Sequence, residues 1–176
     1  MTPTRRPARP QALAAAGAPG LLLGLVLSAA PLAAGAAPCP VALPVTGEFS
    51  SGFGARGRAM HPGVDIRAPV GTPVRAPVGG VVVFAGRYYG YGLMVDIRHR
   101  DGSVSRYAHL ARIAPGVAPG SRVAPEETIG AVGRTGRTTG AHLHVELRRD
   151  GRPVDPWPWL TRTACLDDRE LAEAPR

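Results

Sequence analysis

The chain has 176 residues, with 23 glycines, 19 prolines, two cysteines, five histidines and a formal net charge of +8. That length suits one ordinary domain and is short for two. All 21 basic residues are arginine. They are scattered through the chain, without the stripe, tail or aromatic-interleaved motif of a nucleic-acid binder, so the charge fits a solvated surface or one that approaches an anionic polymer.

The N-terminus reads as a leader. Arg5, Arg6 and Arg9 precede the apolar run "LLLGLVLSAAPLAAG" that starts at Leu21, and Ala34-Gly35-Ala36 fits an A-x-A cleavage site. Residues 1–36 are therefore expected to be a secretory signal peptide, with the processed protein periplasmic or secreted. Gly24 and Pro31 interrupt the run, which is short for a membrane span; an uncleaved anchor is the alternative, and no stable span is expected once the leader is removed. Pro38 directly before Cys39 does not suit a lipoprotein site. In an exported protein Cys39 and Cys165 are candidates for a disulfide tying the two ends together, with two unpaired thiols as the alternative.

After the leader, residues 37–48 form an extended, proline-rich segment, residues 49–160 the domain, and residues 161–176 a polar tail with a short helix expected around 167–173. Within the domain, "GGVVVFAG" (79–86) is a buried apolar run. "GLMVDIRH" (92–99) alternates between apolar and polar residues, "RDG" (100–102) is a hairpin turn, and "SVSRYAHL" (103–110) is the returning strand. A second Asp-Gly turn lies in "RRDGRPVD" (148–155). No core stretch of ten residues has helical periodicity, and the punctuation by glycine and proline favours a mainly antiparallel β fold.

In "TTGAHLHVELRRDG" (138–151), His142, His144 and Glu146 share one face of a strand, while Leu143, Val145 and Leu147 share the other. This alternation predicts a half-buried strand anchored by its apolar side. The polar side carries two imidazoles and a carboxylate, which is the material of a metal site if partners come from elsewhere. "MHPGVDIRAP" (60–69) supplies His61 and Asp65 on a loop leading into a strand, and "RYAHLARI" (106–113) supplies His109 at a strand end. A catalytic zinc takes three protein ligands and keeps a position for water. His61, Asp65 and one histidine of the pair make such a set. His109 and the other member of the pair would stand beside it as groups able to move protons near neutral pH.

Seven blocks in register carry a resemblance: "SSGFGAR", "HPGVDI", "APVGTPVRAPVGGVVVFAG", "YGLMVDIRHRDG", "RYAHL", "GRTGRTTGAHLHVELRRDG" and "PVDPWPWL". Over about 115 residues the chain resembles the lysostaphin-type zinc metallopeptidases, the peptidoglycan endopeptidases that share the LytM domain. The resemblance implies a single domain built on an antiparallel β-sheet, of the duplicated hybrid motif kind, with a groove over the metal site. It implies one Zn2+ on His61, Asp65 and His144, and catalytic roles for His109 and His142. It also implies hydrolysis of peptidoglycan cross-links or stem peptides, by a monomer with no nucleic-acid partner. A non-catalytic regulator or wall-binding module is the alternative, since some relatives have lost these residues.

Other residues have two readings each. Glu146 is either a partner that orients a metal ligand or half of a surface salt bridge. His99 reads as structural. Gly133, Gly136 and Gly140 read as tight-turn glycines beside the groove, with backbone contact to substrate as the alternative. Trp157 and Trp159 read as packing at the domain's C-terminal end, with stacking on sugar as the alternative. The family's tyrosine near the site has Tyr88, Tyr89 and Tyr91 as candidates.

Overall fold

The computed structural model describes residues 43–57 and 59–162. The leader, both cysteines and the helix expected around 167–173 lie outside these residues. In chain order the elements are β1 (Glu48–Ser51), β2 (Gly54–Arg56), β3 (Ala59–His61), β4 (Val64–Arg67), β5 (Pro73–Arg75) and β6 (Gly80–Tyr88). A 3-10 turn (Tyr89–Tyr91) leads into β7 (Gly92–Arg98), β8 (Val104–Ile113), β9 (Arg122–Val123), β10 (Thr128–Val132), β11 (His142–Arg149), β12 (Arg152–Val154) and the short helix α1 (Trp157–Arg162). The expectation of a mainly antiparallel β fold holds. The C-terminal boundary expected at 160 falls inside α1, which begins after Asp155 accepts the backbone N–H of Trp157 at 2.9 Å.

Ten strands form one sheet, whose main path runs β1, β4, β11, β8, β7, β6, β9, while β2 and β3 form a separate small hairpin. The central pairings decide where the site lies. β11 sits between β4 and β8, with His144 directly opposite Asp65 on one side and Ala108 on the other. Val64, Ile66, Leu143, Val145, Tyr107 and Ile97 are fully buried and form the core behind these strands. Each fully buried aliphatic side chain contributes about 1.5–3 kcal/mol of transfer free energy. The apolar alternation of β11 thus fixes which side its histidines present.

β11 departs from the half-buried strand read from its alternation. Leu143, Val145 and Leu147 face the core, but His144 and Glu146 are also buried. The cause is that the polar face is roofed: side chains from the β2–β3 hairpin and the 3-10 turn cover it, with His61 against His144 and Tyr91 against both His144 and Glu146.

Two further features bear on the site. The second Asp-Gly turn joins β11 to β12 with Asp150 at φ 50 and Gly151 at φ 74. Both residues are left-handed, as a tight hairpin turn of matching twist requires. In β8, His109 has φ 62. It lies where the register of β8 against β7 shifts by one residue and where β8 exchanges β11 for β10 as its neighbour. A bulge of this kind re-aims one side chain at the cost of backbone strain of order 1–3 kcal/mol.

Candidate metal centre

His61, Asp65 and His144 bring one donor atom each into a cluster no wider than 4.8 Å. His61 Nε2 lies 3.2 Å from Asp65 Oδ1 and 3.2 Å from His144 Nδ1, and His144 Nδ1 lies 2.8 Å from Asp65 Oδ1. These separations suit neighbouring ligands of a tetrahedral zinc, for which bond lengths of about 2.0–2.1 Å give an edge of about 3.3 Å.

The hydrogen bonds behind the cluster select the tautomers. His61 Nδ1–H donates to the Gly52 carbonyl at 2.6 Å, which leaves Nε2 as the nitrogen with a lone pair. His144 Nε2–H donates to Glu146 Oε1 at 3.2 Å, which leaves Nδ1 with one. Two lone pairs and a carboxylate oxygen then converge in a buried spot, an arrangement that asks for a cation. The residues present fit a zinc ion by distance, by donor chemistry and by outer hydrogen bonds.

Charge around the cluster is arranged in the same sense. Burial would raise the pKa of Asp65. The hydrogen bonds to His144 and to Arg56, whose guanidinium lies 2.7 Å from Oδ2, instead hold it well below the usual carboxylate range. Burial works against a proton on His144, but the carboxylates of Asp65 and Glu146 outweigh it and raise its pKa.

Glu146 has no solvent exposure. It accepts from His144, from Tyr91 Oη–H at 2.6 Å and from Arg148 at 2.6 Å, with Arg106 at 3.8 Å. Burial would raise its pKa; these partners lower it to about 2. Of its two sequence readings, the partner that orients a metal ligand is the one the geometry favours. Of the three candidate tyrosines, Tyr91 is the one that lines the groove and reaches this network.

His109 and His142 stand on the groove side of the cluster, their ring centroids 4.7 Å apart. Both rings are anchored by Nδ1. His109 Nδ1–H donates to the Thr135 carbonyl at 2.9 Å, and His142 Nδ1–H donates to the Gly140 carbonyl at 3.0 Å, with Thr138 Oγ1 at 3.2 Å. Each therefore keeps Nε2 free on the groove side, and His142 Nε2 lies 3.7 Å from Asp65 Oδ1. Burial lowers the pKa of His109. The groove above has a volume of about 700 Å3 and is walled by Met60, Tyr91, Arg56 and Arg137.

All five expected site residues thus meet in one place. His99 is elsewhere: it is buried, donates through Nδ1 to the Gly79 carbonyl at 3.0 Å and accepts at Nε2 from Ser105 at 2.8 Å. Trp157 packs edge-on against Phe49, and the Trp159 ring lies 5.5 Å from that of His99. Sequence reasoning did not find Arg56 as a partner of Asp65, nor the carbonyls of Gly52, Thr135 and Gly140 as anchors. A backbone carbonyl leaves no trace in residue type, and Arg56 lies on a different sheet from the residue it pairs with.

Known proteins share this fold. Residues 59–156 match the family model described as Peptidase family M23. A DD-carboxypeptidase/endopeptidase Mpg of Neisseria meningitidis serogroup B is 52% identical over 97 residues, covering 55% of this chain and 22% of that protein. The chain thus spans about a fifth of the length of that relative. Among solved structures, the catalytic domain of the antimicrobial peptidase lysostaphin from Staphylococcus simulans superposes with a TM-score of 0.60 at 33% identity, over 65% of this chain and 92% of that one. A zinc-containing peptidase from Vibrio cholerae superposes with a TM-score of 0.54 at 31% identity, over 74% of this chain and 39% of that one. With more than half of its residues inside the matched segment, the chain belongs to peptidase family M23.

Proposed function

We propose that the protein is an exported zinc metalloendopeptidase that hydrolyses peptide bonds in peptidoglycan cross-links or stem peptides. The observation that carries this reading is the placement of two groove-side imidazoles, His109 and His142, beside the converging donors of His61, Asp65 and His144. A structural ion has no need of such neighbours. The reading is also supported by the DD-carboxypeptidase/endopeptidase activity for which the Neisseria relative is named and by the zinc of the Vibrio neighbour.

A zinc ion held by the three donors supplies a water of lowered pKa and an electrophile for the scissile carbonyl. The chain's own residues do the rest. His142, with Nδ1–H tied to Gly140, presents Nε2 as the base that takes the proton from the attacking water. Once protonated, the same nitrogen can return that proton to the leaving amine. His109, with Nδ1–H tied to Thr135 and burial disfavouring its charged form, presents its Nε2 lone pair to the groove as a second neutral acceptor that orients the attacking water. The β2–β3 hairpin and Tyr91 exclude bulk water from the ligand side, which strengthens these interactions. The leader expected at residues 1–36 would deliver the enzyme to the cell wall.

The test is incubation of the purified protein with peptidoglycan sacculi, with and without a chelator, beside a His142→Ala variant, with muropeptides read by mass spectrometry. Loss of cross-linked dimers that requires metal and His142 is the expected result. A wild-type protein that binds zinc and sacculi but leaves every muropeptide unchanged would replace the enzyme with a wall-binding regulator.

A further inference from the structure

We infer that Thr135 is a positioning residue for His109: its hydroxyl locks the peptide whose carbonyl holds the His109 ring in its working tautomer. Thr135 does not line the groove. Its hydroxyl instead joins two strands. Oγ1 accepts the backbone N–H of Leu93 in β7 at 2.9 Å and donates to the Leu110 carbonyl in β8 at 2.7 Å. Leu110 directly follows His109, and Leu93 is its partner across the bulge. One hydroxyl therefore pins the loop to both sides of the distortion that aims His109. The carbonyl of the same residue accepts His109 Nδ1–H at 2.9 Å.

The loop is also clamped from the other side. A Cβ on Gly92 would come within 2.3 Å of the Thr135 carbonyl carbon, and one on Gly136 within 2.4 Å of the Gly90 carbonyl oxygen. Gly92 and Gly136 have φ of 68 and 77, and the Arg137 N–H donates to the Gly90 carbonyl at 2.7 Å. Two backbones are thus pressed together with no side chain between them. The Thr135 carbonyl has little room to move, and the hydroxyl sets where along the strands it stops. His109 is a strained left-handed residue at the bulge inside β8, not at the strand end expected from the sequence. The other neighbours of the ring, the His142 imidazole at 4.7 Å and the His144 imidazole at 5.9 Å between centroids, confine it by packing but give Nδ1 no acceptor.

This inference rests on the proposed role of His109, and its test separates the two. Thr135→Val keeps the shape and removes both hydroxyl hydrogen bonds; Thr135→Ser keeps the hydroxyl. The ring nitrogens of His109 are read by long-range proton–nitrogen NMR on the zinc-loaded protein, alongside kcat, KM, zinc content and thermal midpoint. The expected result for Thr135→Val is loss of the single Nδ1–H tautomer and a fall in kcat of about 10–100-fold, the scale at which misplaced groups slow catalysis, with KM and zinc content unchanged. Thr135→Ser should restore both the tautomer and kcat. A valine variant with the wild-type tautomer and wild-type kcat would overturn the inference. So would a serine variant as impaired as valine, which would make the methyl packing rather than the hydroxyl responsible. If the wild-type protein cleaves nothing, the proposed function fails, and the NMR comparison still decides the role of Thr135.

Discussion

His61 Nε2 and His144 Nδ1 face each other at 3.2 Å with neither nitrogen holding a proton for the other, because each ring has given its N–H to an acceptor behind it, Gly52 O and Glu146 Oε1. Asp65 Oδ1 lies beside both, 3.2 Å from His61 Nε2 and 2.8 Å from His144 Nδ1, so either a proton on His144 or a metal ion must hold these atoms together. The stability of the cluster is therefore tied to a cation.

Chelation should lower the thermal midpoint, and one equivalent of zinc per chain should restore it. At free zinc 1,000-fold above Kd, linkage adds about 4 kcal/mol to the stability of a protein whose unfolded form does not bind. Asp65→Asn removes the charge and keeps the volume. It should abolish this zinc-dependent rise, as measured by scanning calorimetry with and without metal.

Glu146→Gln tests the support behind His144. The substitution weakens the acceptor for His144 and removes the charge that pairs with Arg148 and Arg106. Zinc affinity should fall by about 10–100-fold, the usual effect of losing an outer partner of a ligating histidine. Competition with a chromophoric chelator measures it; unchanged affinity would return Glu146 to a purely structural role.

Gly63 lies between His61 and Asp65, and a Cβ there would stand 2.1 Å from the Val145 carbonyl oxygen and 3.0 Å from His144 Cε1. Gly63→Ala must push β4 away from β11. A cost of about 1–3 kcal/mol or more is expected for such overpacking, together with loss of zinc binding, since Asp65 and His144 face each other across that pair. Urea unfolding and metal analysis of the same preparation would show both effects together.

His99 sets a pH dependence independent of the metal site. Burial lowers its pKa from 6.5, so folding favours the neutral ring that donates to Gly79 and accepts from Ser105. Between the folded and unfolded values the unfolded chain binds more protons, so this contribution is present above about pH 6.5 and is lost as pH falls toward the folded value, at up to about 1.4 kcal/mol per pH unit. His99→Gln should flatten the fall in urea-unfolding stability below pH 6.5 relative to wild type.

The sequence carried the strands from 79 to 110 and both Asp-Gly turns, because each leaves a local sign; that His61, Asp65, His109, His142 and His144 cluster was implied by the seven blocks of resemblance together rather than by any one local sign. Apolar alternation, a turn dipeptide and imidazoles two residues apart can all be read from neighbours in the chain. It did not carry the short strands β1, β2, β3, β5, β9 and β10, which have two to five residues and owe their form to pairing partners far along the chain. The full burial of Glu146 escaped for a related reason: it depends on the Tyr91 turn and on Arg106, which sequence spacing does not place above β11. The strain at His109 was equally hidden, since a residue's φ at a bulge follows from the registers of three strands at once.

The placement of His144 opposite Asp65 joins residues 79 apart in the chain, and His61 reaches the same point across 83. Only His61 and Asp65 are close in sequence. An unfolded chain can therefore offer at most a fragment of the binding set, and the complete set exists only after β11 has zipped onto β4. Non-local strand pairing of this kind is a slow event in folding. An ion held by all three residues would therefore report that the longest-range strand pairing among the described residues is complete.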